Sequence, residues 1–381
     1  MMTFRYYPAL FCALAIAIIY IVSLFSSISL IKICDVKKCP LCYGTDLCKT
    51  INSSEISLDF SSFEKLFNNF FSVKNVFYAN YKDSGVVLKK LGQDEELAKV
   101  LTIVKTLSTS KYREFLSHSV IDSFYRKDGI SVKNFHVCDL EVAEYLLEYF
   151  YEMGISLEQI WTINQVNVEP LLLQIFRHEN NWPVPKYYGA CGLIIMESHC
   201  GYNLNSFEGH SWTDRATIAI NIINAAEDFT KTHELFSLYL TDISPDNIVV
   251  NEDLNVCFVD LENGILQMRD NETLFQNIEH LHHHRSKNFA EESYIYSPDD
   301  ICTYALSDHN IYSICKLILS SKSPWPMMKG GLLHSPPQGV QDHDLFQYIE
   351  LCVDADEKIN RFAVIRVIVN ILKELLNIKS G

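Results

Sequence analysis

Twenty-four residues a little past the middle of the chain, LTDISPDNIVVNEDLNVCFVDLEN (240–263), constrain the fold more than any other stretch. Asp242 and Asp260 stand eighteen positions apart, and Asn247 lies five after the first. The apolar runs NIVV and VCFVD read as two strands around the turn NEDLN, so each carboxylate sits at a strand edge. A local explanation exists: Asp242 caps a turn, and Asp246 with Asn247 forms an Asx-turn. The chemical explanation needs all three residues. A phosphoryl-transfer site requires one carboxylate to orient a hydroxyl and accept its proton, and hard oxygen ligands for a divalent cation on the phosphates.

The spacing matches that chemistry. Protein kinases carry a loop with Asp and Asn five residues apart, followed one short hairpin later by a metal-binding Asp in Asp-Phe-Gly. In this order Asp242 is the expected base, and Asn247 and Asp260 are the expected metal ligands. Other stretches fall into kinase order. VVLKKLG supplies Lys89 as the phosphate-pairing lysine, and Glu96, opening the next helix, is its expected ion-pair partner. GLIIMESHCG suits the strand and hinge that grip an adenine, with Met196 and Glu197 at the nucleotide. SDHNIYSICKLIL resembles the kinase helix whose Asp, here Asp308, is buried against the catalytic loop. CVDADEKINRF resembles a late kinase segment in which Arg361 is a buried structural ion-pair partner.

Taken together, VVLKKLG with EELA, KYYGACG, DHNIYSICKLIL, GGLLHSPP and the early CPLCYGTDLC resemble the divergent protein kinase-domain family, most of all its deleted-in-autism protein branch. The resemblance runs from about Cys39 to the end. It implies a protein-kinase-like fold, residence in the secretory pathway (endoplasmic reticulum, Golgi or secreted) and disulfides in the N-terminal region.

Four departures from the kinase pattern bear on activity. No Gly-x-Gly-x-x-Gly precedes Lys89, so backbone amides lack the usual means of closing over phosphates. Thr241 stands in place of the Arg that reads activation-loop phosphorylation. Ser244 stands in place of a Lys; losing that fixed charge costs on the order of a few kcal/mol of transition-state stabilisation. Asp-Leu-Glu replaces Asp-Phe-Gly: Leu261 fills the Phe role, and Glu262 becomes a further candidate metal ligand. Three functions stay open. One is a protein kinase using ATP with Mg²⁺ or Mn²⁺. Another is a pseudokinase serving as a secreted or membrane-held binding module. The last is a kinase for a small molecule or glycan.

The N-terminus sets the compartment. Ala9–Ile31 holds 23 residues without a charge. As a helix it rises about 35 Å, enough to cross a bilayer as a signal anchor. A signal peptide cleaved within SLFSSIS is the other reading. Of 12 Cys, Cys34, Cys39, Cys42 and Cys48 cluster directly after this run. A single C-x-x-C without a second pair or a nearby His points to structural disulfides rather than zinc. Eleven Cys outside the run is an odd number, so one is left over. Asn52 and Asn271 lie in glycosylation sequons. His280, His282, His283 and His284 read as a solvated loop. A net charge of −15 without a basic stripe excludes nucleic acid as a partner; secretory-pathway or extracellular proteins and the membrane remain.

The expected architecture is α+β. A short tail (1–8) and the anchor or signal segment (9–31) lead into a Cys-rich lumenal cap (32–55). A kinase-like N-lobe with hinge (56–201) and a C-lobe (202–381) follow. Strands are expected at 73–81 and 85–91, and helices at 94–107, 141–153 and 215–230, the last capped by Asp214.

Overall fold

The computed structural model describes residues 30–381 apart from 54, 72–74, 93–110, 126–134, 270–280, 283–293, 295, 342, 356–357 and 379–381. The chain divides into two compact units. The first comprises the residues up to Lys105 together with Tyr187–His199; the second comprises Thr106–Lys186 and Cys200–Gly381.

The first unit begins with α1 (Leu30–Cys34), α2 (Cys48–Ile51), β1 (Ile56–Leu58), α3 (Phe63–Phe71), β2 (Val76–Tyr81) and β3 (Ser84–Lys90). Residues 106–186 then run through the second unit as α4 (Tyr112–Phe124), β4 (His136–Val137), α5 (Leu140–Glu152), α6 (Leu157–Val166) and α7 (Glu169–Ile175). The chain returns with β5 (Tyr187–Cys191) and β6 (Ile194–Ser198), completing a five-stranded sheet in the order β1-β2-β3-β6-β5. Lys82 and Asp83, both at positive φ, close the β2–β3 hairpin in two residues, the geometry that matches strand twist. Val86, Leu88, Ile194 and Met196 pack with Cys34, Leu47 and Ile51, so the Cys-rich cap covers one face of this sheet.

The cap is clamped to the β5–β6 turn. The Leu193 amide donates to the Cys34 carbonyl at 2.7 Å, and the Gly192 amide donates to the Gly44 carbonyl at 2.8 Å. Gly192 has φ +62, and a Cβ there would lie 1.9 Å from the Cys34 carbonyl oxygen; only glycine fits. A Cys48–Cys191 disulfide closes the same junction, and Cys39 pairs with Cys42. Cys34, expected to join a disulfide, is instead the free, buried cysteine. Its thiol lies 3.3 Å from the Leu30 carbonyl within α1, and burial raises it to a pKa of about 11.

The second unit continues with β7 (Tyr202–Asn203), α8 (Trp212–Lys231), β8 (Phe236–Leu240), β9 (Ile248–Val250), β10 (Val256–Phe258) and β11 (Gly264–Met268). After these come β12 (Leu281–His282), α9 (Pro298–Thr303), β13 (Leu306–Ser307), α10 (His309–Ile314), α11 (Gln338–Gln341), α12 (Leu345–Val353) and α13 (Arg361–Ile378). Small sheets run β10-β9-β7 and β4-β11-β8. Buried Ile218, Ile222, Ile223 and Phe229 give α8 its inward stripe. Its cap is Ser211, whose Oγ accepts the Asp214 amide; Asp214, the expected cap, lies inside the first turn. Disulfides Cys138–Cys302, Cys200–Cys257 and Cys315–Cys352 lie in this unit, so ten of the eleven cysteines outside the apolar run are paired.

Two expectations shift. Residues 106–186, assigned by sequence to the N-lobe, belong with the second unit because their contacts are there. Trp161 Nε1 on α6 donates to Ser119 Oγ on α4, and β4 pairs in parallel with β11. The expected helix at 94–107 falls outside the described residues. So does the charge-free run apart from Leu30 and Ile31, which open α1. Among the described residues no helix is long and apolar enough to cross a membrane.

Candidate nucleotide and metal site

Strand β8, FSLYL, is buried at every position, and the chain leaves it directly into Asp242. The loop from Asp242 to Asn247 is held from inside. Asn247 Nδ2 donates to the Asp242 carbonyl at 3.0 Å, and the Asn247 amide donates to the Ser244 carbonyl at 3.1 Å. With its NH₂ group anchored on that carbonyl, the Asn247 side chain has its Oδ1 for other partners, the oxygen a hard cation needs. The Asp242 carboxylate is exposed, and Asn263 Nδ2 lies 3.4 Å from its Oδ2. The Thr241 amide donates to the Asn263 carbonyl at 3.3 Å, tying the loop to the segment after Asp260.

Asp260 follows β10 in the left-handed region, φ +62. An Asp adopts this conformation more readily than a branched or bulky residue, and it turns the amide out of the strand ladder. That amide donates to Glu169 Oε1 at 2.8 Å, and the Leu261 amide reaches the same oxygen at 3.4 Å. Glu169 opens α7 and is fully buried. Asn167 fixes its entry, accepting the Glu169 amide on Oδ1 at 2.8 Å while its Nδ2 donates to Glu262. Leu261 is 2% exposed and fills the apolar position that sequence assigned to it. Glu262 is thus engaged with Asn167, next to the site rather than confined to cation binding.

The loop is braced from below by α10. The Leu240 amide donates to Asn310 Oδ1 at 2.8 Å, while Asn310 Nδ2 donates to the Leu238 carbonyl and to Thr230 Oγ1. His309 Nε2 lies 2.9 Å from the Leu240 carbonyl. His309 and Asn310, not singled out in the sequence, thus bond directly to the strand end that leads into the 241–247 loop. Asp308 itself pairs with Arg361 at 2.9 Å, with side chains 0% and 1% exposed. Arg361 also donates to the Cys352 and Val353 carbonyls, locking α12 to α13. Tyr294 and Tyr296 approach from the segment after Asp260. Burial raises both phenols, and the charge of Asp242 adds to the effect.

In the first unit, Lys89 Nζ meets Glu197 Oε1 at 2.8 Å, with side chains 13% and 2% exposed. The register explains it: Val87 opposes Glu197 and Lys89 opposes Ile195, so lysine and glutamate are diagonal neighbours on one sheet face. Glu197, expected at a nucleotide, is the ion-pair partner of Lys89. Glu96, the expected partner of Lys89, lies outside the described residues. Met196 points to the other face, into the cap-covered core. Asn52 is exposed just after α2, while Asn271 and all of the His cluster except His282 fall outside the described residues.

Glu169 lies beyond the first helix after Lys89, far in sequence from the amides it accepts. Its signal was an acidic residue opening the apolar run EPLLLQIF just ahead of KYYGACG. Among the described residues no group of three or more His, Cys, Asp and Glu forms a metal cluster. A kinase-type cation needs fewer protein ligands, since phosphate oxygens and water complete its shell. The anchored Asn247 amide and Asp260 fit that requirement.

The family model for the protein-kinase domain of FAM69 matches residues 160–355. Divergent protein kinase domain 2A of Xenopus tropicalis is 28% identical over 98% of this chain and 96% of its own length. The human protein of the same name is 28% identical over 89% of this chain and 87% of its own length. Divergent protein kinase domain 2B of Bos taurus is 30% identical over 21% of this chain and 18% of its own length.

Proposed function

The chain belongs to the family of the FAM69 protein-kinase domain, and from that premise we propose that it binds ATP with Mg²⁺ or Mn²⁺ and transfers phosphate to protein hydroxyls in the secretory pathway. The observation that carries this reading is the Asn247 side chain, whose NH₂ is fixed on the Asp242 carbonyl at 3.0 Å. One bond sets the base and a metal ligand relative to each other. Bound ATP and its cation supply the phosphoryl group and the positive charge that offsets it. Asp242 accepts the proton of the attacking hydroxyl. Asn247 and Asp260 offer oxygen ligands, and Glu169 keeps Asp260 in its left-handed conformation through the main-chain amide. Within the first unit, Lys89 is ion-paired with Glu197. Five disulfides favour an oxidising compartment, and the charge-free N-terminal run would anchor the chain there or be cleaved on secretion.

A second reading, a nucleotide-binding pseudokinase, has its own observation. The link from β1 to β2 holds α3, a nine-residue helix, and the β2–β3 link is a two-residue turn. Neither offers a glycine-rich flap. Incorporation of the γ-phosphate into a secreted-protein fraction separates the two. The first reading expects transfer by the wild type and none by Asp242→Asn, with nucleotide binding intact in both. Nucleotide binding without transfer by the wild type selects the second.

A further inference from the structure

A cavity of about 450 Å³ opens on the second unit, apart from Asp242, Asn247 and Asp260. Its lining includes Tyr202 on β7, Phe207 and His210 just before α8, Asp214 in the first turn of α8, and Glu252 and Leu254 in the β9–β10 turn. The volume is in the range of side-chain and ligand pockets. No Lys or Arg lines it, and two carboxylates do. Tyr202 is 52% exposed and Glu252 is exposed, so the mouth faces solvent. The Phe207 and His210 rings lie with centroids 4.5 Å apart, tilted 42° to each other. His210 Nδ1 lies 3.9 Å from Asp214 Oδ2.

The walls are preformed. The Leu204 amide donates to the Pro245 carbonyl at 3.0 Å, and Asn205 Nδ2 donates to Asp246 Oδ1 at 3.0 Å. The β9–β10 turn is fixed by Asn251 Oδ1, which accepts the Asn255 amide at 2.8 Å, and by Asn221, which donates to the Leu254 carbonyl at 2.9 Å. Gly201, at φ +138, lets the chain entering β7 pass against Val250; a Cβ there would lie 2.1 Å from its carbonyl oxygen. A rigid pocket loses little freedom when it fills.

We propose that this cavity docks an arginine-bearing segment of a partner protein. Aromatic rings beside carboxylates are the surroundings a guanidinium favours, stacking on the former and pairing with the latter. The cation-attracting groups come from four places, Tyr202 on β7, Phe207 before α8, Asp214 in α8 and Glu252 in the β9–β10 turn, and so suit a segment with more than one positive group better than one small cation. The net charge of −15 draws such a segment to the molecule, and the pocket selects where it stays. None of this draws on nucleotide binding.

The test is fluorescence polarisation of fluorescein-labelled tetra-arginine amide with the full chain in detergent at pH 7.5, without nucleotide. Saturable binding is expected. The double variant Asp214→Asn/Glu252→Gln should weaken it about tenfold or more, as should Tyr202→Ala. The charge-matched double variant Glu141→Gln/Glu144→Gln, on the exposed side of α5, should leave it unchanged. Absent binding, or equal weakening by both double variants, overturns the proposal in favour of none or diffuse attraction. Displacement by N-acetyl-arginine amide at the same concentration as unlabelled tetra-arginine overturns the choice of a protein segment.

Discussion

Glu169 accepts two main-chain amides, those of Asp260 and Leu261, while fully buried. Replacing it with Ala strands both donors, which costs about 1–3 kcal/mol. Urea unfolding of Glu169→Ala should show that loss, and its nucleotide-dependent stabilisation should shrink as well; Glu169→Gln, which keeps an acceptor, should recover part of both. At Asp308 and Arg361 the expectation is larger. Removing one member of a buried ion pair leaves the other uncompensated, at a cost of about 3–5 kcal/mol. Arg361→Met should therefore destabilise more than Glu169→Ala by the same measurement. The buried ion pair of Arg361 was readable in the sequence from the segment around it. Glu169 and Asn310 were not, since each acts on a residue far away in sequence, and the pairing of Glu197 with Lys89 depends on strand register.

Among the elements, the cap-to-hairpin junction carries a clear expectation. The Cys48–Cys191 bridge spans 143 residues, and opening it costs about 2–5 kcal/mol. Cys48→Ala/Cys191→Ala should lower the unfolding midpoint accordingly. Alkylation in denaturant, followed by peptide mapping, should label Cys34 and none of the ten paired cysteines. The odd cysteine was evident from the count, but its identity was not. Cys34 precedes the bend that brings its carbonyl onto Leu193, which buries the thiol in α1 away from the other sulfurs. Helix and strand types followed from periodicity at β2, β3, α5 and α8. The grouping of α4–α7 with the second unit did not, because it rests on side-chain contacts such as Trp161 with Ser119.

For the molecule as a whole, acid is predicted to destabilise as buried histidines are protonated. Burial lowers His199, with Lys65 adding to the effect and Asp59 opposing it. Burial likewise lowers His233, whose Nδ1 accepts the Leu235 and Phe236 amides and so must stay unprotonated. Below the unfolded value of about 6.5 the unfolded chain takes up these protons more readily than the folded one, so stability falls with pH in that window. The melting midpoint should drop between pH 7.5 and 5.5, and His199→Gln should flatten the dependence. The kinase-like domain and the family were legible at this scale. The missing phosphate flap was legible only as absent glycines; that a helix, α3, occupies the link required the structure.

The proposed phosphate transfer depends on a nucleotide being held through Asp260. Thermal unfolding of the full chain with Mg²⁺ or Mn²⁺ and millimolar ATP, beside Asp260→Ala, tests this most directly. A ligand at 100 times its Kd stabilises by about 2.7 kcal/mol. The account predicts a rise in midpoint that needs both cation and nucleotide and is abolished by Asp260→Ala. No rise in the wild type, or an equal rise in both proteins, would contradict it.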